Sequence, residues 1–292
     1  MTAPIFLHYD REALDREYDN RRKVAESAEH LAWYAAQSAR TRRILAWRFD
    51  LRYGATPAET LDVVPATVPG APVQVFIHGG YWHRMDKADY SYVAGGFAPA
   101  GAAVVVVNYA LMPAVTMDEL VRQCRAAVAW VHAHAVTFGG DPGRIFISGH
   151  SAGGHLVAML MATDWPAFGA PPDVVKGGCG ISGLYDLEPI RLCFLNDVLK
   201  LTPEDAQRNS PVLLAPLRNG RLIVAVGGLE GPEYHRQADN LAAVWRANGL
   251  AADIMDLAGE DHFTIAAQLA DPRSALTSAI LRQMALNGSP AS

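Results

Sequence analysis

Residues 144–161, RIFISGHSAGGHLVAMLM, constrain the fold more than any other stretch. A short apolar run, Ile145, Phe146 and Ile147, stops at Gly149-His150-Ser151-Ala152-Gly153, and apolar residues at helical spacing, Leu156, Val157, Leu160 and Met161, follow at once. The pattern predicts strand, sharp turn and helix, with a Gly-x-Ser-x-Gly turn between them. In that setting a serine is lifted off the end of a sheet strand, and the flanking glycines leave no side chain to collide with neighbouring elements. Ser151 is therefore the candidate nucleophile. The five-residue motif also occurs in plain Gly-rich loops, so its weight comes from the strand before it and the helix after it.

The rest of the chain supplies a sheet to carry that turn. Residues 44–53 and 60–64 read as two strands joined by a turn, an antiparallel opening. From residue 72 onward, short apolar runs at 73–77, 103–107, 144–147, 174–181, 222–226 and 252–257 alternate with helical stretches such as 117–134 and 234–248. This predicts an α/β class with a mostly parallel central sheet, covered by helices on both faces. With 292 residues, one domain spanning 1–292 is expected. Residues 1–43 read as a helical N-terminal arm that packs on the body, covers the pocket mouth or contacts a second subunit of a homodimer; the pattern selects none of these. Residues 183–217 break the alternation with prolines and short helical pieces. They read as a small helical cap placed after a strand's carboxyl end, hence over the serine.

Composition excludes several classes. The formal charge is -5, from 25 basic and 30 acidic residues, which gives no general attraction to nucleic acid or to an anionic membrane. Seven charged residues between Asp10 and Asp19 interrupt any signal-type apolar core, and no apolar run is long enough to span a bilayer, so a cytoplasmic chain with a small-molecule substrate is expected. Cys124, Cys179 and Cys193 are odd in number and widely spaced, giving neither a disulfide framework nor a metal pattern. His132 and His134 are two apart on a predicted helix and cannot form a clamp for a metal. No metal and no cofactor is expected.

A serine hydroxyl becomes a useful nucleophile when an imidazole, oriented by a carboxylate, takes its proton. In an elbow-type hydrolase the acid and then the histidine follow the serine along the chain. His262, in Gly259-Glu260-Asp261-His262-Phe263 directly after the last predicted strand, is the candidate base. Glu230, after the 222–226 strand, is the candidate acid; Glu233 is its rival, although Pro232 suggests that Glu233 begins a helix. His78-Gly79-Gly80-Tyr81-Trp82 follows the 73–77 strand. There the N–H groups of Gly80 and Tyr81, shaped by Gly79 and joined by the N–H of Ala152, would hold a developing oxyanion. His78, Trp82 and Tyr185 are the candidate substrate contacts.

These residues resemble the arylformamidase (kynurenine formamidase) group of the α/β-hydrolases, related to the hormone-sensitive-lipase-like esterases. The resemblance rests on HGGYW at 78–82, VVVVNY at 104–109, GHSAGGHL at 149–156, SGLYDLEPI at 182–190, EDAQRNSP at 204–211, PEYHRQ at 232–237 and EDHF at 260–263. It implies an α/β-hydrolase fold and a cofactor-free triad that hydrolyses N-formyl-L-kynurenine to kynurenine and formate, in tryptophan degradation. The triad roles would fall on Ser151, Glu230 and His262. Glu230 stands where the family's usual acid is Asp. Tyr81 stands where esterase relatives more often carry a third glycine, which favours the formamidase over a broad carboxylesterase acting on short acyl esters.

Overall fold

The apolar runs become the strands of an eight-stranded sheet. In a computed structural model, which describes residues 3–217 and 220–287, they are β1 (Arg48–Arg52), β2 (Thr60–Val64), β3 (Ala71–Ile77), β4 (Ala103–Val107), β5 (Gly140–His150), β6 (Val175–Ile181), β7 (Arg221–Gly227) and β8 (Ala252–Leu257). Their order across the sheet is β1-β2-β4-β3-β5-β6-β7-β8. β2 runs antiparallel to both β1 and β4, and every pair from β4 to β8 is parallel. Residues 1–2 of the expected arm, and 218–219 and 288–292 of the expected domain, lie outside the described residues.

Successive side chains of a strand point to opposite faces, and the central strands sort their residues accordingly. Val73, Val75, Ile77, Val105, Val107, Ile145 and Ile147 enter one core; Phe76, Val104, Val106 and Phe146 enter the other. This is why β4 reads as the unbroken run AVVVV: both faces are covered, as the sequence predicts for a parallel sheet. Each such side chain, fully removed from water, contributes about 1.5–3 kcal/mol of transfer free energy.

The helices, in chain order, are α1 (Arg11–Tyr18), α2 (Asn20–Lys23), α3 (Ser27–Ile44), α4 (Ala94–Phe97), α5 (Met117–His134), α6 (Ala152–Met161), α7 (Glu188–Leu192), α8 (Asn196–Leu199), α9 (Pro203–Arg208), α10 (Pro232–Ala247), α11 (Thr264–Ala267) and α12 (Ala275–Gln283). Helices α5, α6 and α10 cover the first core, and α3, α4 and α12 the second. Two strand starts differ most from the sequence reading. The first strand begins at Arg48 rather than residue 44, because the helix-forming run through Arg42 and Arg43 carries α3 on to Ile44. Strand β5 begins at Gly140 rather than 144, since that glycine already pairs with Ala71.

The arm settles onto the body. Leu14 and Tyr18 of α1 join the first core and Tyr34 of α3 the second. The stretch after β6 is helical as expected: α7, α8 and α9 follow one another, and prolines 189, 203 and 211 each open a short helical piece. Among the described residues no helix is long and apolar enough to cross a membrane.

Candidate active site

Strand β5 ends at His150 and α6 begins at Ala152, so Ser151 alone makes the turn. It does so at φ 57° and ψ -117°, a strained conformation for a residue with a side chain. The turn is possible because its neighbours are bare: a Cβ on Gly153 would overlap the carbonyl oxygen of Ile77, and one on Gly149 would overlap that of Gly153. Ser151 N–H donates to the Ile181 carbonyl at 2.8 Å, tying the turn to the end of β6.

The carboxyl ends of β7 and β8 bring the other two groups. Glu230 follows β7 and its Oε1 lies 2.6 Å from Nδ1 of His262, in the loop after β8. Oε2 accepts from the Ser182 hydroxyl at 2.6 Å and from the Gly227 N–H at 2.8 Å, so the carboxylate is buried with both oxygens occupied. Engaging Nδ1 leaves Nε2 as the free ring nitrogen of His262, the tautomer required of a base. The loop is itself fixed. Asp261 Oδ1 accepts from the N–H groups of Phe263 and Thr264, and the Tyr34 hydroxyl donates to the Phe263 carbonyl at 2.6 Å. His150 Nε2 donates to the His262 carbonyl at 2.8 Å. Since a carbonyl only accepts, Nδ1 of His150 accepts from the Tyr90 hydroxyl at 3.2 Å. Burial, and His262 beside it, hold the His150 imidazole well below its ordinary value, so it stays neutral in this role.

Ser151 and His262 line one cleft. The arm forms one wall with Tyr18, Asn20, Leu31 and Tyr34, the loop after β3 contributes Gly80, Tyr81, Arg84 and Met85, and the helical stretch after β6 contributes Phe194 and Leu195. The arm thus packs on the body and forms part of the cleft lining. The loop after β3 turns at Gly80, whose φ of +113° and closeness to the Arg84 carbonyl exclude any other residue. Tyr81 and Trp82 follow at φ 49° and 59°. The Tyr81 hydroxyl donates to the Tyr18 carbonyl at 2.6 Å and accepts from Asn20 at 3.0 Å, which locks the loop to the arm. The N–H of Ala152 belongs to the first turn of α6, where backbone donors have no partner inside the helix. Gly80 and Tyr81 line the same cleft.

The candidate substrate contacts are placed elsewhere, and that reading is corrected. Trp82 is fully buried; its Nε1 donates to His155 Nδ1 at 3.1 Å, and His155 Nε2 in turn donates to the Asn209 carbonyl at 2.8 Å. The positive φ at Tyr81 and Trp82 sends the indole beneath the elbow. His78 stacks on Tyr109 at 4.1 Å with its Nδ1 on the Gly79 carbonyl, and Tyr185 packs over Gly180 and Gly183 at the end of β6. None of the three is among the cleft residues. Glu233, the rival acid, sits in the first turn of α10, where it accepts from the Tyr18 hydroxyl at 2.9 Å and pairs with Arg236. The cysteines are buried and unpaired, and burial raises their thiols. Sequence reasoning missed Ser182, Tyr90 and the arm residues; only Ser182 left a signal, its place immediately after β6.

The buried imidazoles carry a stability signature. Burial pushes His78 and His155 down to about 4, while an unfolded imidazole titrates near 6.5. Between those values the unfolded chain binds protons that the folded chain refuses. Their contribution is thus complete above about pH 6.5 and is lost as pH falls to about 4, on the order of 3 kcal/mol apiece. Melting temperature measured from pH 7 to pH 4 is expected to fall over that window, and to fall less steeply in His155→Gln. An unchanged slope in the variant would show that His155 is not held neutral.

A family model described as BD-FAE matches residues 62–166. The chain is 33% identical to a kynurenine formamidase of Danio rerio over 87% of its own length and 88% of the relative's. It is 35% identical to a kynurenine formamidase of Salmo salar, with the same two coverages. A solved structure from Silicibacter sp., provisionally described as a thioesterase, superimposes with a TM-score of 0.81 at 30% identity, over 91% of this chain and 98% of that one.

Proposed function

From the premise that this chain belongs to the kynurenine formamidase family, we propose that it is a serine hydrolase that cleaves the formamide of N-formyl-L-kynurenine to kynurenine and formate, with no cofactor. The observation that carries the chemical part of this reading is the 2.6 Å pairing of Glu230 with His262, in a loop that lines the same cleft as Ser151. As Ser151 Oγ attacks the formyl carbon, Nε2 of His262 takes its proton, and the carbonyl electron pair moves onto oxygen. That oxyanion is received by the N–H groups of Gly80, Tyr81 and Ala152, with Gly79 shaping the loop; one such donor is worth about 3 kcal/mol. Glu230 stabilises the imidazolium and holds its orientation.

The imidazolium then protonates the departing aryl amine as the carbon–nitrogen bond breaks, leaving a formyl ester on Ser151. Water, deprotonated by His262, attacks that ester and releases formate, and Oγ recovers its proton. Formyl is the smallest acyl group, so selection must fall on the amine side, where the arm and cap line the cleft.

A substrate comparison tests the reading. The wild-type enzyme is expected to show kcat/KM for N-formyl-L-kynurenine at least about 10²-fold above that for p-nitrophenyl acetate, a difference of about 2.7 kcal/mol in transition-state binding. Equal rates, or a preference for the ester, would assign the same machinery to a broad carboxylesterase.

A further inference from the structure

The cleft is lined by aromatic and aliphatic side chains, and three charged ones interrupt them: Asp19, Arg21 and Arg84. Asp19 caps α2, Arg21 lies on that same short helix, and Arg84 closes the turn that Gly80 opens, its N–H donating to the Gly80 carbonyl at 3.0 Å. The two arginines thus come from different segments, the arm and the loop after β3, and meet at one cleft. A second observation brings them together. Burial holds the His83 imidazole below its ordinary value, and the guanidiniums of Arg84 and Arg21 both press it in the same direction, so both act on one ring.

These two cations line the cleft and are unspent. Arg22 turns back on Asp19, Arg236 on Glu233 and Arg122 on Glu59 and Glu119. Among the described residues neither Arg21 nor Arg84 has an acidic partner. Two guanidiniums facing a mostly apolar cleft create a place where a carboxylate is stabilised, and their fork geometry suits its two oxygens. Asp19 provides the opposite charge beside them. Its existing partner is weak, an exposed Arg22 at 3.8 Å.

The geometry points to Arg21 and Arg84 as the clasp for the α-carboxylate of an amino-acid leaving group, with Asp19 receiving its α-ammonium. This deepens the formamidase reading and rests on it. The enzyme selects an aryl formamide that carries a free amino-acid head, and the arm is a specificity element because it brings Asp19 and Arg21 to the loop that carries Arg84.

The test compares N-formyl-L-kynurenine with 2-formamidoacetophenone, which keeps the aryl formamide and its ortho carbonyl and lacks the amino-acid head. Charge-assisted hydrogen bonds at a part-exposed site correspond to about tenfold each. Arg21→Gln and Arg84→Gln should each raise KM for formylkynurenine about 10-fold, and the double variant about 100-fold, with kcat within about 2-fold. Asp19→Asn, which keeps the helix cap, should raise it about 3-fold. For 2-formamidoacetophenone, kcat/KM should change less than about 3-fold in every variant, and added salt should weaken only the charged substrate.

A double variant with wild-type KM for formylkynurenine overturns the clasp. So does one that loses both substrates alike, since that is the mark of a damaged cleft. A wild-type enzyme that turns over both formamides alongside indifferent variants removes the clasp alone. A wild-type enzyme that hydrolyses p-nitrophenyl acetate and neither formamide removes the formamidase reading, and the clasp with it.

Discussion

Ser151→Ala is expected to lower turnover of N-formyl-L-kynurenine and of p-nitrophenyl acetate alike, by about 10⁴- to 10⁶-fold. The size follows from the proposed mechanism: without Oγ there is no acyl-enzyme, and an oriented imidazole has nothing to deprotonate except water. What survives is the preorganisation of the oxyanion donors and of binding, which do not depend on the hydroxyl. The fold should survive as well. The strained turn at φ 57° is imposed by Gly149, Gly153 and the Ser151 N–H bond to Ile181, all of which alanine retains. Steady-state rates with a melting curve on the same preparation decide the matter. A variant that keeps a tenth of the activity removes Ser151 from the role of nucleophile.

The second large effect separates two carboxylates three residues apart. Glu230→Gln should reduce kcat about 10³- to 10⁴-fold. The Gly227 N–H can only donate, and it shares one carboxylate oxygen with the Ser182 hydroxyl. A glutamine at this position therefore keeps its carbonyl oxygen there and turns its NH₂ toward Nδ1 of His262. That forces Nδ1 to accept and moves the ring proton to Nε2, the tautomer that cannot take a proton from serine. Glu233→Gln instead weakens the contacts to Tyr18 and Arg236, so it should lower the melting temperature and change kcat less than about 10-fold. Equal, mild losses from the two would mean that the orienting acid lies elsewhere.

How far the sequence carried this picture depends on whether the physics at each position is local. Residues 144–161 specify their own strand, turn and helix, and the order of Ser151, Glu230 and His262 along the chain follows from strand ends that all point one way. Runs buried on both faces, such as β4, were equally legible. The direction of an aromatic side chain was not. Trp82 and Tyr81 are neighbours with similar chemistry, yet two positive φ values send the indole under the elbow and the phenol to the arm. No pattern of residue types announces such a turn. The arm was legible as helix and illegible as wall, because which face of α1 or α3 meets which loop depends on partners far away in the chain.

That distance has a consequence for how the enzyme comes into being. The hydroxyl of Tyr34 anchors the Phe263 carbonyl, next to the base, across 229 positions of sequence. During synthesis the arm leaves the ribosome well before the segment it steadies and must wait for it. A nascent chain interrupted before residue 262 already carries its Gly149–Gly153 elbow sequence and lacks His262, the proposed proton acceptor. On the proposed mechanism, hydrolytic competence therefore waits until the loop after β8 closes against the arm.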